Sequence, residues 1–164
     1  MIKILFICHG NICRSPMAEF ILKDMVEKRG IEDNFLIESR ATSTEEIWNG
    51  QGNPIYPPAQ RELKKHNIGS TQYTDFTQKR AKQVTKSDYE GFDFLLCADT
   101  MNIRNTARLT GPDDRKKISL LLDYAQDKRR HGQSIADPWY TGNFEATYKD
   151  IVEGCEGLLM FLGY

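Results

Sequence analysis

The sequence lacks long apolar runs and an excess of charge of either sign. No run approaches the roughly 20 apolar residues of a membrane span, and the short apolar start, IKILFI, lacks the longer apolar region and cleavage site of a secretory leader. Lys and Arg total 22 against 23 Asp and Glu, a formal net charge of -1, so no overall field favours nucleic acid or an anionic membrane as a partner. We therefore expect a cytoplasmic protein without either partner.

Cysteine is also scarce and follows no metal-binding or disulfide pattern. The four cysteines are Cys8, Cys13, Cys97 and Cys155, and none forms the paired CxxC spacing of a zinc site. A reducing compartment would keep them as thiols. We therefore predict no metal and no structural disulfide, and we expect Cys97 and Cys155 to lie in the core.

The chain is long enough for one core and shows no division. Its 164 residues, 40% of them hydrophobic, fall within the usual size of one domain. No repeat, low-complexity tract or Pro/Gly/Ser linker interrupts it, so residues 1–164 are predicted to form a single domain, expected to act as a monomer.

Apolar runs alternate with helical patterns along the chain. Four predicted strands are IKILFIC (2–8), NFLIESRA (34–41), FDFLLCA (92–98) and KISLLLDY (117–124). Four helices are predicted. The first begins at Ser15, with Pro16 in the first helical position, and ends at Gly30, and the second runs from PPAQ to Gly69. The third covers MNIRNTARL, and the fourth follows the apolar stripe from Phe144 to Leu162. This order predicts an α/β fold, an open parallel sheet flanked by helices in three layers, with ligands bound at the carboxyl ends of the strands. The long connections 42–54 and 125–143 are expected to be functional loops.

The stretch CHGNICRSP, residues 8–16, stands at such a strand end. A helix start directs backbone N–H groups and a positive dipole into the preceding loop, which favours an anion and the thiolate form of Cys8. Gly10 and Asn11 tolerate left-handed backbone, and the planar fork of Arg14 can bind two oxygens of a phosphoryl group. Ser15 could cap the helix and donate a hydrogen bond to the Cys8 sulfur. The alternative is an inert thiol beside a solvated arginine.

The segment C-H-G-N-I-C-R-S-P-M-A-E resembles the signature of the low-molecular-weight protein tyrosine phosphatases. The resemblance continues in the same order through SRATSTEE, HNIG, QVTKSDYEGFDFLLCADTMN and DPWY. It implies a sheet of four parallel strands flanked by helices. It also implies an enzyme that needs no cofactor and works through a phosphocysteine on Cys8. The implied substrates are phosphotyrosine in a protein or peptide and small aryl phosphates.

Asp137, in ADPWY, matches the family's general acid. A carboxylic acid facing the thiolate would protonate the leaving phenolate and then activate water. Taken alone, an Asp before Pro is as readily a turn residue.

The resemblance assigns supporting roles to further residues. His9, Gly10, Asn11, Ile12, Cys13 and Ser15 would form the phosphate-binding loop with Cys8 and Arg14. Ser43 would support Asn11, and Cys13 could form a reversible disulfide with Cys8 or be a small packing residue. From its position at the carboxyl end of the third strand, and not from the resemblance, Asp99 is expected either to orient the loop or Ser15 or to cap the following helix.

Aromatic residues in the two long connections are expected to form the rim of the substrate cleft, namely Trp48, Trp139 and Tyr140. The alternative for each is packing beneath a loop. The KRRH run at 128–131 is expected to be solvated and close enough to Asp137 to attract acidic peptide flanks.

Three other functions remain open. An arsenate reductase on this fold would need a further pair of neighbouring cysteines, which Cys97 and Cys155 do not form. A phosphoarginine phosphatase resembles this loop but carries threonine where Ile12 stands. A non-catalytic phosphopeptide-binding module would need neither the nucleophile nor the acid.

Overall fold

The computed structural model describes all 164 residues. The strands are β1 (Ile2–Cys8), β2 (Phe35–Ala41), β3 (Ile47–Trp48), β4 (Gln51–Gly52), β5 (Phe94–Cys97) and β6 (Ile118–Leu120). The helices are α1 (Arg14–Lys28), α2 (Pro57–Lys65), α3 (Lys86–Gly91), α4 (Thr100–Thr110), α5 (Pro138–Thr141) and α6 (Phe144–Phe161). Short 3₁₀ turns cover Glu32–Asn34, Leu121–Tyr124 and Lys128–Arg130.

Four strands form one parallel sheet in the order β2-β1-β5-β6. From β1 the chain first moves to β2 on one side and later to β5 on the other, so the topology switches direction at the carboxyl end of β1. Crevices for ligands form at such switch points. Cys8 is the last residue of β1 and therefore lies at this crevice. The predicted α/β class and parallel sheet are confirmed.

The sheet is buried on both faces, as the continuous apolar run of β1 predicts. Ile4, Phe6 and Cys8 join a core of 26 buried residues, to which α1 and α6 contribute. Leu5 and Ile7 join a smaller core of seven buried residues on the other face, where α3 and α4 lie. Cys97 lies in the smaller core and Cys155 in the larger, in agreement with the prediction for both thiols.

Some predicted boundaries are wrong. Helix α1 begins at Arg14 with Cys13 in the N-cap position, so Ser15 does not cap it and Pro16 is its third residue. Gly30 follows the C-cap of α1 with a φ of 67° and closes that helix as predicted, but α2 ends at Lys65, and Asn67 rather than Gly69 is the left-handed residue after it. The fourth strand has only three residues before a 3₁₀ turn, because a short apolar run has no period that separates strand from helix.

The connection 42–54 contains a hairpin that the sequence interpretation missed. Strands β3 and β4 pair antiparallel across Asn49 and Gly50, whose φ angles are 50° and 76°. An Asn-Gly pair with positive φ at both residues is the favoured two-residue hairpin turn, so WNGQ carried the signal.

None of the helices combines the length and apolar character needed to cross a membrane.

Candidate active site

The loop from Cys8 to Ser15, called here the Cys8 loop, curls back over the sulfur. The backbone N–H of Asn11 donates to Cys8 Sγ at 3.3 Å, and Asn11 adopts a φ of 57°. Asparagine tolerates this left-handed conformation better than most residues. The turn at Asn11 therefore directs one peptide donor at the sulfur before α1 begins.

The Asn11 side chain fixes the back of the loop through three hydrogen bonds. Its Oδ1 accepts from the backbone N–H of Lys82 at 3.1 Å, and its Nδ2 donates to Ser15 Oγ at 2.8 Å and to Ser39 Oγ at 2.9 Å. A backbone N–H can only donate, so the amide oxygen must face Lys82 and the NH₂ group must face the two serines.

The orientation of Asn11 determines what Ser15 can do. Since Ser15 Oγ accepts from Asn11, its own proton is free for the Cys8 sulfur at 3.0 Å or for the carbonyl oxygen of Arg40 at 3.3 Å. A thiolate is the stronger acceptor of the two because it is charged. The predicted contact between Ser15 and Cys8 is present, whereas the predicted helix cap is not.

A buried carboxylate stands behind this network. Ser39 Oγ donates to Glu19 Oε2 at 2.6 Å, and Glu19 forms ion pairs with Lys23 and Lys79 at 2.8 and 2.9 Å. Burial alone would raise the pKa of Glu19, but the two lysines outweigh it and hold that pKa below its usual value. A charged Glu19 keeps the Ser39 proton on its side, so Ser39 can only accept from Asn11.

The prediction that Ser43 supports Asn11 is wrong. Ser43 Oγ instead donates to the backbone oxygen of His9 at 2.9 Å, and Ser39 takes the position beside Asn11. Ser39 belongs to β2, which pairs with β1 in register, whereas Ser43 lies beyond the strand end. The missed signal was a serine on the face of β2 that buries Phe35, Ile37 and Ala41.

Arg14 is held between two carboxylates. Its side chain is only 6% exposed, and its guanidinium lies 2.8 Å from Asp99 and 3.3 Å from Asp137. Burial opposes its charge, but Cys8 and the two aspartates outweigh burial, so the pKa of Arg14 lies above its ordinary value. Asp99 also caps α4, because its carboxylate accepts from the N–H of Asn102 at 2.7 Å. It therefore both holds Arg14 at the end of the loop and caps the helix, but it does not contact Ser15.

One cavity of about 530 Å³, called here the Cys8 cavity, brings the predicted catalytic residues together. Cys8, Arg14 and Asp137 all line it, with Asp99 and the loop residues His9, Gly10, Ile12 and Cys13. Asn11 and Ser15 are buried behind the loop, 1% and 2% exposed. Asp137 also caps α5, because its carboxylate accepts from the N–H of Trp139 at 3.1 Å. Asp137 therefore both terminates a helix, as an Asp before Pro commonly does, and lines the cavity.

The rim of the cavity differs in part from the prediction. Trp139 and Tyr140 line it and are 61% and 85% exposed, as expected. Trp48 does not line it, because its hairpin projects the ring into solvent, where it is 71% exposed. Met101, at the start of α4, lines the cavity and was missed, since nothing in the sequence places that turn opposite the Cys8 loop.

The two cysteines of the loop differ in their surroundings. Both are free and buried. Burial, with the charges of Cys8 and Asp137, raises the pKa of the Cys13 thiol to about 12, and no hydroxyl or N–H donates to its sulfur. Cys13 is therefore a neutral thiol near pH 7. The Cys8–Cys13 disulfide stays a prediction.

The Cys8 sulfur accepts from an amide, faces a hydroxyl and lies in one cavity with a guanidinium and a carboxyl group. Such a sulfur can take a phosphoryl group and pass it to water. Fold and site together define the class of cysteine-dependent phosphatases.

The family is shown by likeness over nearly the whole chain. The family model described as low molecular weight phosphotyrosine protein phosphatase matches residues 3–163, so the chain belongs to that family. It is a protein tyrosine phosphatase, and the family acts on phosphotyrosine-containing substrates.

Individual relatives agree. The Bacillus subtilis low molecular weight protein-tyrosine-phosphatase YfkJ is 37% identical over 159 residues, 97% of this chain and 94% of its own. Its crystal structure superposes with a TM-score of 0.86 at 35% identity, covering 99% of this chain and 94% of that one. The chicken low molecular weight phosphotyrosine protein phosphatase is 39% identical over 162 residues, 96% of this chain and 93% of its own.

A structure described as a Drosophila arginine phosphatase is also similar. It has a TM-score of 0.81 at 29% identity and covers 99% of this chain and 97% of that one. The relatives with higher identity are named tyrosine phosphatases. The family therefore favours that activity over the phosphoarginine, arsenate and binding-module alternatives.

Proposed function

We propose that Cys8 is the nucleophile, Arg14 the phosphate-binding residue and Asp137 the general acid and base of this phosphatase. The observation that carries the proposal is their convergence on one cavity. Cys8 accepts from the Asn11 amide there, and Arg14 lies within 3.3 Å of Asp137.

In the first step the Cys8 thiolate attacks phosphorus. The S–P bond forms and the bond from phosphorus to the phenolic oxygen breaks. Asp137, whose ion pair with Arg14 is replaced by the bound phosphoryl group, is protonated at this stage and passes its proton to that oxygen. A phenol has a pKa of about 10, so protonation makes it a better leaving group. Arg14, in place between Asp99 and Asp137, stabilises the charge on the transferring oxygens.

In the second step water attacks the phosphocysteine. Asp137 takes a proton from the water, the new P–O bond forms, and the S–P bond breaks with its electron pair returning to sulfur. The Ser15 hydroxyl, 3.0 Å from that sulfur, stabilises the departing thiolate. Phosphate is released and Asp137 is again protonated.

Cys13 takes no part in these steps as a nucleophile. Its pKa of about 12 leaves it protonated at neutral pH. Asn11 acts by positioning, since its side chain holds Ser15 and its backbone holds the sulfur.

The substrates we propose are phosphotyrosine in a protein or peptide, and small aryl phosphates. Support comes from Trp139, Tyr140 and Met101, which offer apolar and aromatic surface on one side of the cavity for a phenyl ring. Ile12, which also lines the cavity, suits a phenyl ring better than a guanidinium.

We also propose that residues 1–164 form one domain that acts as a cytoplasmic monomer without a metal or a cofactor. The buried residues support the domain, because one core cluster joins β1, β2, α1, α2 and α6. No three His, Cys, Asp or Glu side chains are grouped so as to hold a metal ion.

Two substitutions test the catalytic roles. Cys8→Ser should abolish hydrolysis of an aryl phosphate while the circular dichroism and melting temperature stay near those of the wild type. Asp137→Asn should slow turnover of phenyl phosphate by about 10²–10⁴-fold. It should slow an activated nitrophenyl ester less, because that leaving group needs less protonation.

The control for the second variant is Asp127→Asn, which removes an exposed carboxylate from another helix cap. Retained activity in Cys8→Ser, or an equal loss in Asp127→Asn and Asp137→Asn, would contradict the assignment. Peptides carrying phosphotyrosine, phosphoserine or phosphoarginine, assayed with the wild type, separate the phosphotyrosine and phosphoarginine activities.

A further inference from the structure

The rim of the Cys8 cavity carries two carboxylates that the proposed chemistry does not use. Four carboxyl side chains line the cavity. Asp99 and Asp137 form ion pairs with Arg14. The other two, Glu45 and Glu46, form no ion pair with any lysine or arginine.

Glu45 and Glu46 are held in place beside the Cys8 loop. Glu46 accepts from the Asn53 side chain at 2.7 Å, and the N–H of Asn53 donates to the backbone oxygen of Glu46 at 2.8 Å. The Glu46 side chain lies against Gly10, where a Cβ would sit 3.3 Å from Glu46 Cγ. The carboxylate therefore stands over the loop rather than moving freely.

Glu45 is the more exposed of the two. Its side chain is 70% exposed, and its one ionic partner is His9 at 2.9 Å, itself 51% exposed. Ser43, two residues before Glu45, donates to the backbone oxygen of His9 through both its N–H and its hydroxyl. The Glu45 carboxylate therefore remains open to a ligand that approaches the cavity from solvent.

No residue of the basic run at 128–131 lines the Cys8 cavity with these two glutamates. Arg129 pairs with Asp127, and Arg130 pairs with Asp150 and Glu153. Lys128 forms no ion pair, so the expectation that the KRRH run attracts acidic peptide flanks stays a prediction. The one guanidinium that lines the cavity is Arg14, which is buried at its floor.

We propose that Glu45 and Glu46 make this phosphatase select phosphotyrosine sites flanked by lysine or arginine over sites flanked by acidic residues. The selection rests on the proposed function, since the phosphotyrosine must occupy the Cys8 cavity for its neighbours to reach the rim. The uncharged lining residues Met101, Trp139 and Tyr140 would contact the ring and apolar neighbours.

The size of the effect follows from the exposure of the pair. One solvent-exposed ion pair changes a binding constant by up to about fivefold, so two should give a three- to tenfold preference in kcat/KM. Salt screens exposed charges over roughly 10 Å at 0.1 M and 3 Å at 1 M. The preference should therefore shrink at high ionic strength.

The test uses three phosphotyrosine peptides that differ only in their flanking residues, which are lysine, glutamine or glutamate. The wild type should show kcat/KM in the order lysine, glutamine, glutamate, with the spread reduced at high salt. In E45Q/E46Q the ratio between the lysine and glutamate peptides should approach one, and in E45K/E46K it should invert. Each ratio is taken within one variant, so a general change in activity cancels.

The matched control is D114N/E156Q, which makes the same change in net charge at two exposed positions outside the Cys8 cavity. It should keep the wild-type ratio. Equal rates on the three peptides, or a preference that survives E45Q/E46Q, would overturn the selectivity while the phosphatase function stands. Failure of the wild type to hydrolyse any of them would instead remove the proposed function, and the selectivity with it.

Discussion

At the scale of single residues, two cysteines five positions apart have opposite chemistry. Cys8 accepts from a peptide N–H and faces a hydroxyl. Cys13 is buried without such donors, and its pKa is raised to about 12. The sequence identified both cysteines and the arginine, but only their surroundings separate a nucleophile from a protected thiol.

Alkylation should report this difference. Because the Cys13 pKa is raised, its thiolate is scarce until the pH approaches 12, so brief treatment with iodoacetamide at pH 7–8 should label Cys8 and leave Cys13 unmodified. Mass spectrometry of the digested protein locates the label. Burial is the largest cause of the shift, so Cys13 should remain unlabelled in Cys8→Ala as well. Rapid labelling of Cys13 in that variant would contradict the burial argument.

At the scale of elements, the catalytic loop depends on β2 as much as on β1 and α1. The chain of contacts runs from Glu19 on α1 through Ser39 on β2 to Asn11, Ser15 and the Cys8 sulfur. The resemblance pointed to a serine in this role, but its segment suggested Ser43. The register of β2 against β1 places Ser39 there instead.

Substitution of the two serines should distinguish them. Ser39→Ala leaves one Asn11 N–H without an acceptor in a buried site, which costs about 1–3 kcal/mol. It should also lower kcat, because Asn11, which positions Ser15, is held by one hydrogen bond fewer. Ser43→Ala removes a hydrogen bond in an exposed segment and should have a smaller effect. Urea unfolding and steady-state kinetics on one aryl phosphate measure both. If Ser43→Ala had the larger effect, the network through Ser39 would not govern the loop.

At the scale of the whole molecule, α6 closes the larger core by a close backbone approach. Its stripe of apolar residues was apparent in the sequence, and Ile151, Cys155, Leu158 and Leu159 are fully buried. The closeness depends on Gly157, where a Cβ would overlap the backbone oxygen of Tyr124. A glycine in the middle of a helix is otherwise unfavourable relative to alanine.

Gly157→Ala should therefore destabilise the protein despite the better helix propensity of alanine. Overpacking typically costs 1–3 kcal/mol, so we expect a loss of about that size in the free energy of unfolding. Gly91→Ala at the end of α3 is the control, since no atom lies within 4 Å of a Cβ there. Its stability should be unchanged or slightly increased. Equal stability of the two variants would mean that α6 can shift without cost.

The sequence predicted the elements whose signals are local and missed those whose signals are weak or distant. Strand β1, the Cys8 loop and the start of α1 follow one another directly, so periodicity and residue type were enough. The β3–β4 hairpin was missed because its strands have two residues each, too few to show a period. The six-residue helix α3 was missed for a similar reason.

By itself the sequence determined the fold class and the family and pointed to the proposed roles of Cys8, Arg14 and Asp137, because each rests on residue type and on order along the chain. The tertiary structure alone decided which serine holds Asn11, that Met101 and two glutamates reach the cavity, and that Trp48 does not. Those contacts join residues far apart in the chain, and the number of residues between two positions does not determine their distance in space. Strand register and helix packing supply that distance.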